Sequence, residues 1–101
     1  MHVEVKPEAD ATAYRVPHDA LQAFYTIFLE WEAAPRLTLP GPCRIHKLRN
    51  ARNLWTLKLP YDSDLGWRDY RCIYAWTGTE IHILRFGTWH NIYEHLPRER
   101  Q

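Results

Sequence analysis

The sequence predicts an α+β domain in which an N-terminal strand and two helices pack on a C-terminal antiparallel β-meander. Three observations carry that prediction. Leu54 to Leu59, Trp67 to Tyr74 and Glu80 to Phe86 are β-rich runs separated by turn-forming residues. Leu21, Phe24, Tyr25, Phe28 and Leu29 recur at the spacing of an amphipathic helix. The chain opens on Val3-Glu4-Val5-Lys6, a short alternation suited to an edge strand.

Each element follows from local chemistry. Pro7 suits a first helical position, and Glu8 and Asp10 lie near the positive end of the helix dipole, so a short helix is predicted from Pro7 to about Tyr14. Pro17 ends it and opens the next, expected from His18 to Ala34. Ile27 and Trp31 widen its apolar stripe, and Pro35 stops it. Pro40, Gly41 and Pro42 mark a loop, and Cys43 to Arg49 contributes a turn or the start of a strand. A second loop, Pro60 to Trp67, is acidic and placed to lean over a basic face. Thr77-Gly78-Thr79 makes the third turn, and a helical turn at most is expected after Pro97.

Alternate residues of a strand share a face. Thr56 should therefore fall with Lys58, Arg71 with Ile73, and Ile83 with Arg85, giving a sheet surface that carries several cations. Gly87 to Tyr93 then brings a histidine and a tyrosine just past the last strand.

At 101 residues without a repeat, the chain is expected to be one domain, 1-101. A 46% hydrophobic, 25% charged composition is that of a folded protein. Apolar runs fall short of the roughly 20 residues that a membrane helix needs, and the N-terminus has no apolar stretch of a secretory signal, so the cytosol is the expected compartment. Cys43 and Cys72, far apart and outside any CxxC, read as reduced thiols. Net charge is only +1, yet Arg36 to Lys58 holds six cations and no carboxylate. Such a belt can attract phosphate even on a near-neutral protein, or serve as solvated charge beside an acidic helix or an acidic partner chain.

Motifs narrow the chemistry. The sequence has no HExxH, Walker loop or GxSxG, and His82, His90 and His95 lack a matching cluster of cysteines or carboxylates, so no metal or cofactor is expected. Phosphate chemistry without a metal remains. Cleaving RNA through its own 2′-hydroxyl needs a base for that proton, cations for the charge gathering on phosphorus-bound oxygens, and an acid for the departing 5′-oxygen. Arginine, permanently charged and forked to match phosphate, suits the middle role.

The ordered set Lys47-Leu48-Arg49-Asn50, Leu54 to Leu59, Tyr70-Arg71-Cys72-Ile73-Tyr74, Ile83-Leu84-Arg85-Phe86-Gly87 and Tyr93 resembles the RelE/ParE superfamily of bacterial type II toxins. The order of strand, short helix, longer helix and meander is also that family's. The resemblance implies a toxin that cuts messenger RNA on the ribosome and is neutralised by a cognate antitoxin; the alternatives within the same fold are a ParE-type inhibitor of DNA gyrase and an inactive, antitoxin-binding relative. Carried over by position, Arg71 and Lys58 take the transition-state charge, and Tyr93 or His90 the proton transfers. Of these two, His90 has the reference pKa nearer neutrality, about 6.5 against about 10. Lys47, Arg49, Arg52, Arg85 and Trp89 complete the expected RNA-binding set, and Trp55, Trp67 and Trp76 join Trp89 as candidates for stacking on bases, two of the four belonging to the core. Two positions depart from the pattern: Thr56 stands where RelE has a lysine, and Trp89 where an arginine follows the glycine.

Overall fold

In a computed structural model of the chain, residues 1–37, 43–49, 51–59, 66–88 and 90–93 are described. The loop predicted at Pro40 to Pro42, most of the acidic loop from Pro60, Trp89 and the chain after Tyr93 lie outside these residues. The elements are β1 (His2–Val5), α1 (Pro7–Asp10), a 3-10 turn (Ala13–Arg15), α2 (His18–Ala33), β2 (Arg44–Lys47), β3 (Leu54–Lys58), a 3-10 turn (Trp67–Asp69), β4 (Tyr70–Trp76) and β5 (Glu80–Thr88). The α+β class and the element order are those predicted, and Cys43 to Arg49 resolves into a strand.

The strands form one sheet in the order β1-β5-β4-β3-β2. β1 runs parallel to β5, and the other neighbours are antiparallel. β1 and β2 are thus the two edges, and the helical segment between them crosses one face of the sheet. Beyond Val5 the edge of β5 is covered by the chain following α1, where the Thr12 hydroxyl accepts the Phe86 N–H at 2.9 Å and donates to the Ala9 carbonyl at 2.8 Å. That contact satisfies a strand donor that would otherwise lack a partner.

Helix α2 ends as its sequence dictates. Ala34, preceding Pro35, is extended at φ −99° and ψ 150°, the conformation that a following proline imposes. The Met1 ammonium donates to the Glu32 and Ala34 carbonyls at 3.2 and 2.9 Å, placing positive charge at the negative end of the helix dipole. The buried stripe of α2 is Ala20, Phe24, Ile27, Phe28 and Trp31. Leu29, expected in that stripe, is 66% exposed; the packed face is rotated toward Ala20 and Ile27. Phe24, Phe28 and Phe86 pack with ring centroids 5.6 to 6.4 Å apart, and Trp31 lies 5.3 Å from Tyr74.

Two apolar clusters lie on opposite faces of the sheet. The larger joins α2 to Val3, Leu57, Cys72, Tyr74, Ile83 and Phe86. The smaller comprises Leu54, Ile73, Ala75, Leu84 and Ile92, flanked by Leu48 and Ala51. A register shift between β4 and β5 pairs Ile73 with Arg85 but Tyr74 with Ile83. Leu84 and Arg85 consequently both turn away from the helices, as a β-bulge requires. Strict alternation had placed Ile83 and Arg85 on one face. The bulge separates them, Ile83 into the helix-side core and Arg85 to the other side.

Candidate functional site

Antiparallel pairing assembles the cations. Arg44 stands opposite Lys58, Lys58 opposite Arg71, and Arg71 opposite Gly87. Directly paired residues share a face, and their Cα atoms lie about 4.5 to 5.5 Å apart, so the three cations form a row across β2, β3 and β4. Parity with Ile73 and Leu54 puts the row on the face away from α2. Arg44 is exposed, Lys58 half-buried and Arg71 only 8% exposed. One step along, His46, Thr56, Ile73 and Arg85 make a second row. Thr56, at the position of an expected lysine, is buried and its hydroxyl has no hydrogen-bond partner among the described residues.

Beside the row the chain folds back over β5. Asn91 and Ile92 donate their N–H groups to the Thr88 carbonyl at 3.2 and 2.8 Å, and the Thr88 N–H donates to the Asn91 side-chain oxygen at 3.0 Å. Arg85 Nη1 donates to the Ile92 carbonyl at 3.0 Å. Ile92 is buried in the smaller apolar cluster, while His90 and Tyr93 are exposed. Gly87 makes this possible. A Cβ there would lie 2.7 Å from the Asn91 side-chain oxygen and 3.4 Å from Ile92 Cβ, so the turn occupies the space that any side chain facing the cation row would need.

The other predicted residues are distributed differently. Lys47 pairs with Trp55 and holds its ammonium 5.8 Å over that ring, on the helix side of the sheet. Arg49 and Arg52 are exposed on the β2–β3 hairpin, at the Leu54 end of the face. Four residues of strand separate them from Lys58, about 13 Å at the usual rise. Trp55, Trp67 and Trp76 pack against the helix-side core; Trp55 and Trp76 meet edge to face at 5.7 Å, and Trp67 donates to Asp19 at 3.4 Å. The stacking role proposed for them does not fit these positions. Arg44 and His46 were absent from the predicted set, and recognising β2 as a strand in register with β3 would have supplied both.

Burial decides which groups stay neutral. It pushes the Cys72 thiol and the Tyr74 hydroxyl well above their ordinary ranges, and both sit on the helix side. At the β1 edge, the Lys6 hydrogen bond holds the Glu4 carboxyl below the usual carboxylate range. Glu4 pairs with His82, five residues along β5 from Gly87. On the cation face, His46 stands one row along from Lys58, and the exposed His90 and Tyr93 flank the turn over Gly87. Among the described residues, no group of three or more His, Cys, Asp or Glu side chains is arranged to hold a metal ion.

Fold and site together define a class: a small α+β domain with helices on one side of a five-stranded sheet and cations on the other. Among solved structures it resembles a chain of the RelB-RelE antitoxin–toxin complex from Methanococcus jannaschii, with a TM-score of 0.71, 18% identity, and coverage of 93% of this chain and 99% of that one. A chain of the archaeal RelE-RelB complex from Pyrococcus horikoshii OT3 aligns at a TM-score of 0.49 and 23% identity, over 89% and 96% of the two chains. No protein-family model and no curated protein matches the sequence. The chain has the RelE-like fold that its ordered strand motifs led one to expect, and at this identity the fold is what the two proteins share.

Proposed function

We propose that the chain is the toxin of a type II toxin–antitoxin module and acts as a metal-independent, ribosome-dependent mRNA endoribonuclease that inhibits translation. The observation that carries this reading is the in-register row Arg44, Lys58 and Arg71, ending at the Gly87 over which the His90–Tyr93 turn is folded. A phosphate above Lys58 and Arg71 gains charge-assisted hydrogen bonds that strengthen as its oxygens become more negative. The 2′-oxygen forms a bond to phosphorus and the bond to the 5′-oxygen breaks, leaving a 2′,3′-cyclic phosphate and a 5′-hydroxyl. His90 and Tyr93 take the proton from the attacking oxygen and return one to the leaving oxygen. The partner is a cognate antitoxin, a reading supported by the antitoxin–toxin complex to which the Methanococcus jannaschii neighbour belongs, and the basic face is the surface it would cover.

A second reading, a gyrase inhibitor of the ParE kind or an inactive antitoxin-binding relative, is favoured by Thr56, which brings a buried hydroxyl where the nuclease would carry a lysine. Purified protein incubated with ribosomes and a message decides between them. The ribonuclease reading expects discrete cuts with wild type and none with Arg71→Ala. Intact message with wild type, together with DNA cleavage complexes when gyrase is supplied, supports the second reading and overturns the first.

A further inference from the structure

We infer that Arg85 and Asn91 are positioning residues, which hold the turn after β5 closed over Gly87 and thereby fix where His90 and Tyr93 stand beside Lys58 and Arg71. The kinetic consequence rests on the ribonuclease reading; the structural one does not.

The geometry is that of two independent ties on one short segment. Asn91 closes the turn on itself: its backbone N–H donates to the Thr88 carbonyl at 3.2 Å, and its side-chain oxygen accepts the Thr88 N–H at 3.0 Å. Arg85 fastens the far end to the sheet through the Ile92 carbonyl, seven residues away in sequence, at 3.0 Å. The bulge explains why Arg85 can do this. It brings Leu84 and Arg85 out on the same face, so that Leu84 joins the apolar floor while Arg85 reaches the turn above it. Ile92, fully buried, is the anchor of the turn, and the exposed His90 and Tyr93 flank it. Both side chains are carried by this one short segment, so the ties that hold its backbone also set where they start from. A guanidinium suits the task because its planar fork donates in fixed directions, whereas the ammonium of a lysine on a flexible stem does not.

The test compares Arg85→Lys, Asn91→Ala and Asn91→Asp, each shown to be folded by its thermal melt. In the free protein, hydrogen exchange of the Asn91 and Ile92 amides is expected to quicken roughly tenfold in Arg85→Lys and Asn91→Ala, the consequence of losing one hydrogen bond. Asn91→Asp keeps the acceptor oxygen and is expected to restore protection. In ribosome-programmed cleavage, the first two variants should lower kcat on the order of 100-fold, the usual effect of misplacing a reacting group by about an ångström. KM should stay, as should the salt dependence of binding to single-stranded RNA, and Asn91→Asp should recover the rate. Unchanged exchange in both Arg85→Lys and Asn91→Ala overturns the inference. So does an Arg85→Gln variant that keeps its turn amides protected while its salt slope falls by about 0.7, the mark of one lost phosphate contact on a single strand. If wild type leaves the message intact, the ribonuclease reading fails, and the exchange measurement alone decides whether the ties hold the turn.

Discussion

Replacing Gly87 by alanine probes the contact on which the site is assembled. The new Cβ would stand 2.7 Å from the Asn91 side-chain oxygen, 3.4 Å from Ile92 Cβ and 3.5 Å from Ile92 Cα. The last two distances are tolerable with small shifts. The first is not, and the Asn91 side chain, being the free end of a flexible group, gives way. That oxygen is the acceptor for the Thr88 N–H, so the cost is one hydrogen bond, about 1 kcal/mol net and up to about 3 kcal/mol if the N–H finds no water. Against this, alanine lowers the entropy of the unfolded chain relative to glycine, worth about 0.4 to 1 kcal/mol. Gly87 is not among the glycines with positive φ, so the gain is available. The net change is between nothing and about 2.5 kcal/mol of destabilisation, concentrated in the turn. Urea denaturation should therefore show a small shift in midpoint with an unchanged slope, while hydrogen exchange at Thr88, Asn91 and Ile92 quickens sharply. A variant with fully protected turn amides would rule out this displacement of Asn91, because the Cβ would then have found room that the packing denies it. Global destabilisation beyond about 4 kcal/mol would refute it too, since only a core rearrangement costs that much.

Three further outcomes follow from packing and burial. Thr12→Val removes the acceptor for the Phe86 N–H and should cost about 1 to 3 kcal/mol in chemical denaturation, whereas Thr12→Ser should stay near wild type; equal stability of the valine variant would contradict the edge-capping role. Leu29→Ser, at a side chain 66% exposed, should change stability by no more than about 0.5 kcal/mol, while Phe28→Ala in the aromatic core should cost about 3 to 5 kcal/mol. Stability should also fall on the alkaline side. Cys72 and Tyr74 have folded-state values raised by burial, so the unfolded chain releases their protons first. Their contribution is complete below about pH 8.5 and declines above it, Cys72 first and Tyr74 from about pH 10, by up to about 1.4 kcal/mol per pH unit for each. Denaturation midpoints between pH 7 and pH 10.5 check this. Cys72→Ala should flatten the first part of the decline, and a level profile in wild type would contradict it.

Much of the fold could be read from the chain because its signals are local. Pro7, Pro17 and Pro35 bound the helices, and strand alternation separated the helix-side residues Leu57, Cys72 and Tyr74 from the cations Lys58 and Arg71. What could not be read depends on register. A bulge leaves no mark in the alternation of Glu80 to Phe86, so Ile83 and Arg85 seemed to share a face. β2 is short and its burial uneven; without its pairing to β3, neither the alignment of Arg44 with Lys58 nor the retreat of Lys47 to the helix side is visible. Leu29 fits a helical stripe as well as Ala20 does, and only the direction from which the sheet approaches decides between them. The role of Gly87 was hidden for a related reason: glycine was needed there because of what the chain does four and five residues later.

On the ribonuclease reading proposed above, the cation row and the adjacent turn cradle a phosphate attacked by its own 2′-hydroxyl. That reading is tested most directly with ribosome-bound messages that differ by one atom: an all-ribose message, whose cut site is first mapped, and a copy with a single 2′-deoxy nucleotide immediately 5′ of the scissile phosphate. Cutting of the first is expected, with a 2′,3′-cyclic phosphate at the new end, and an intact bond at that site in the second. Equal cutting of both messages would contradict it.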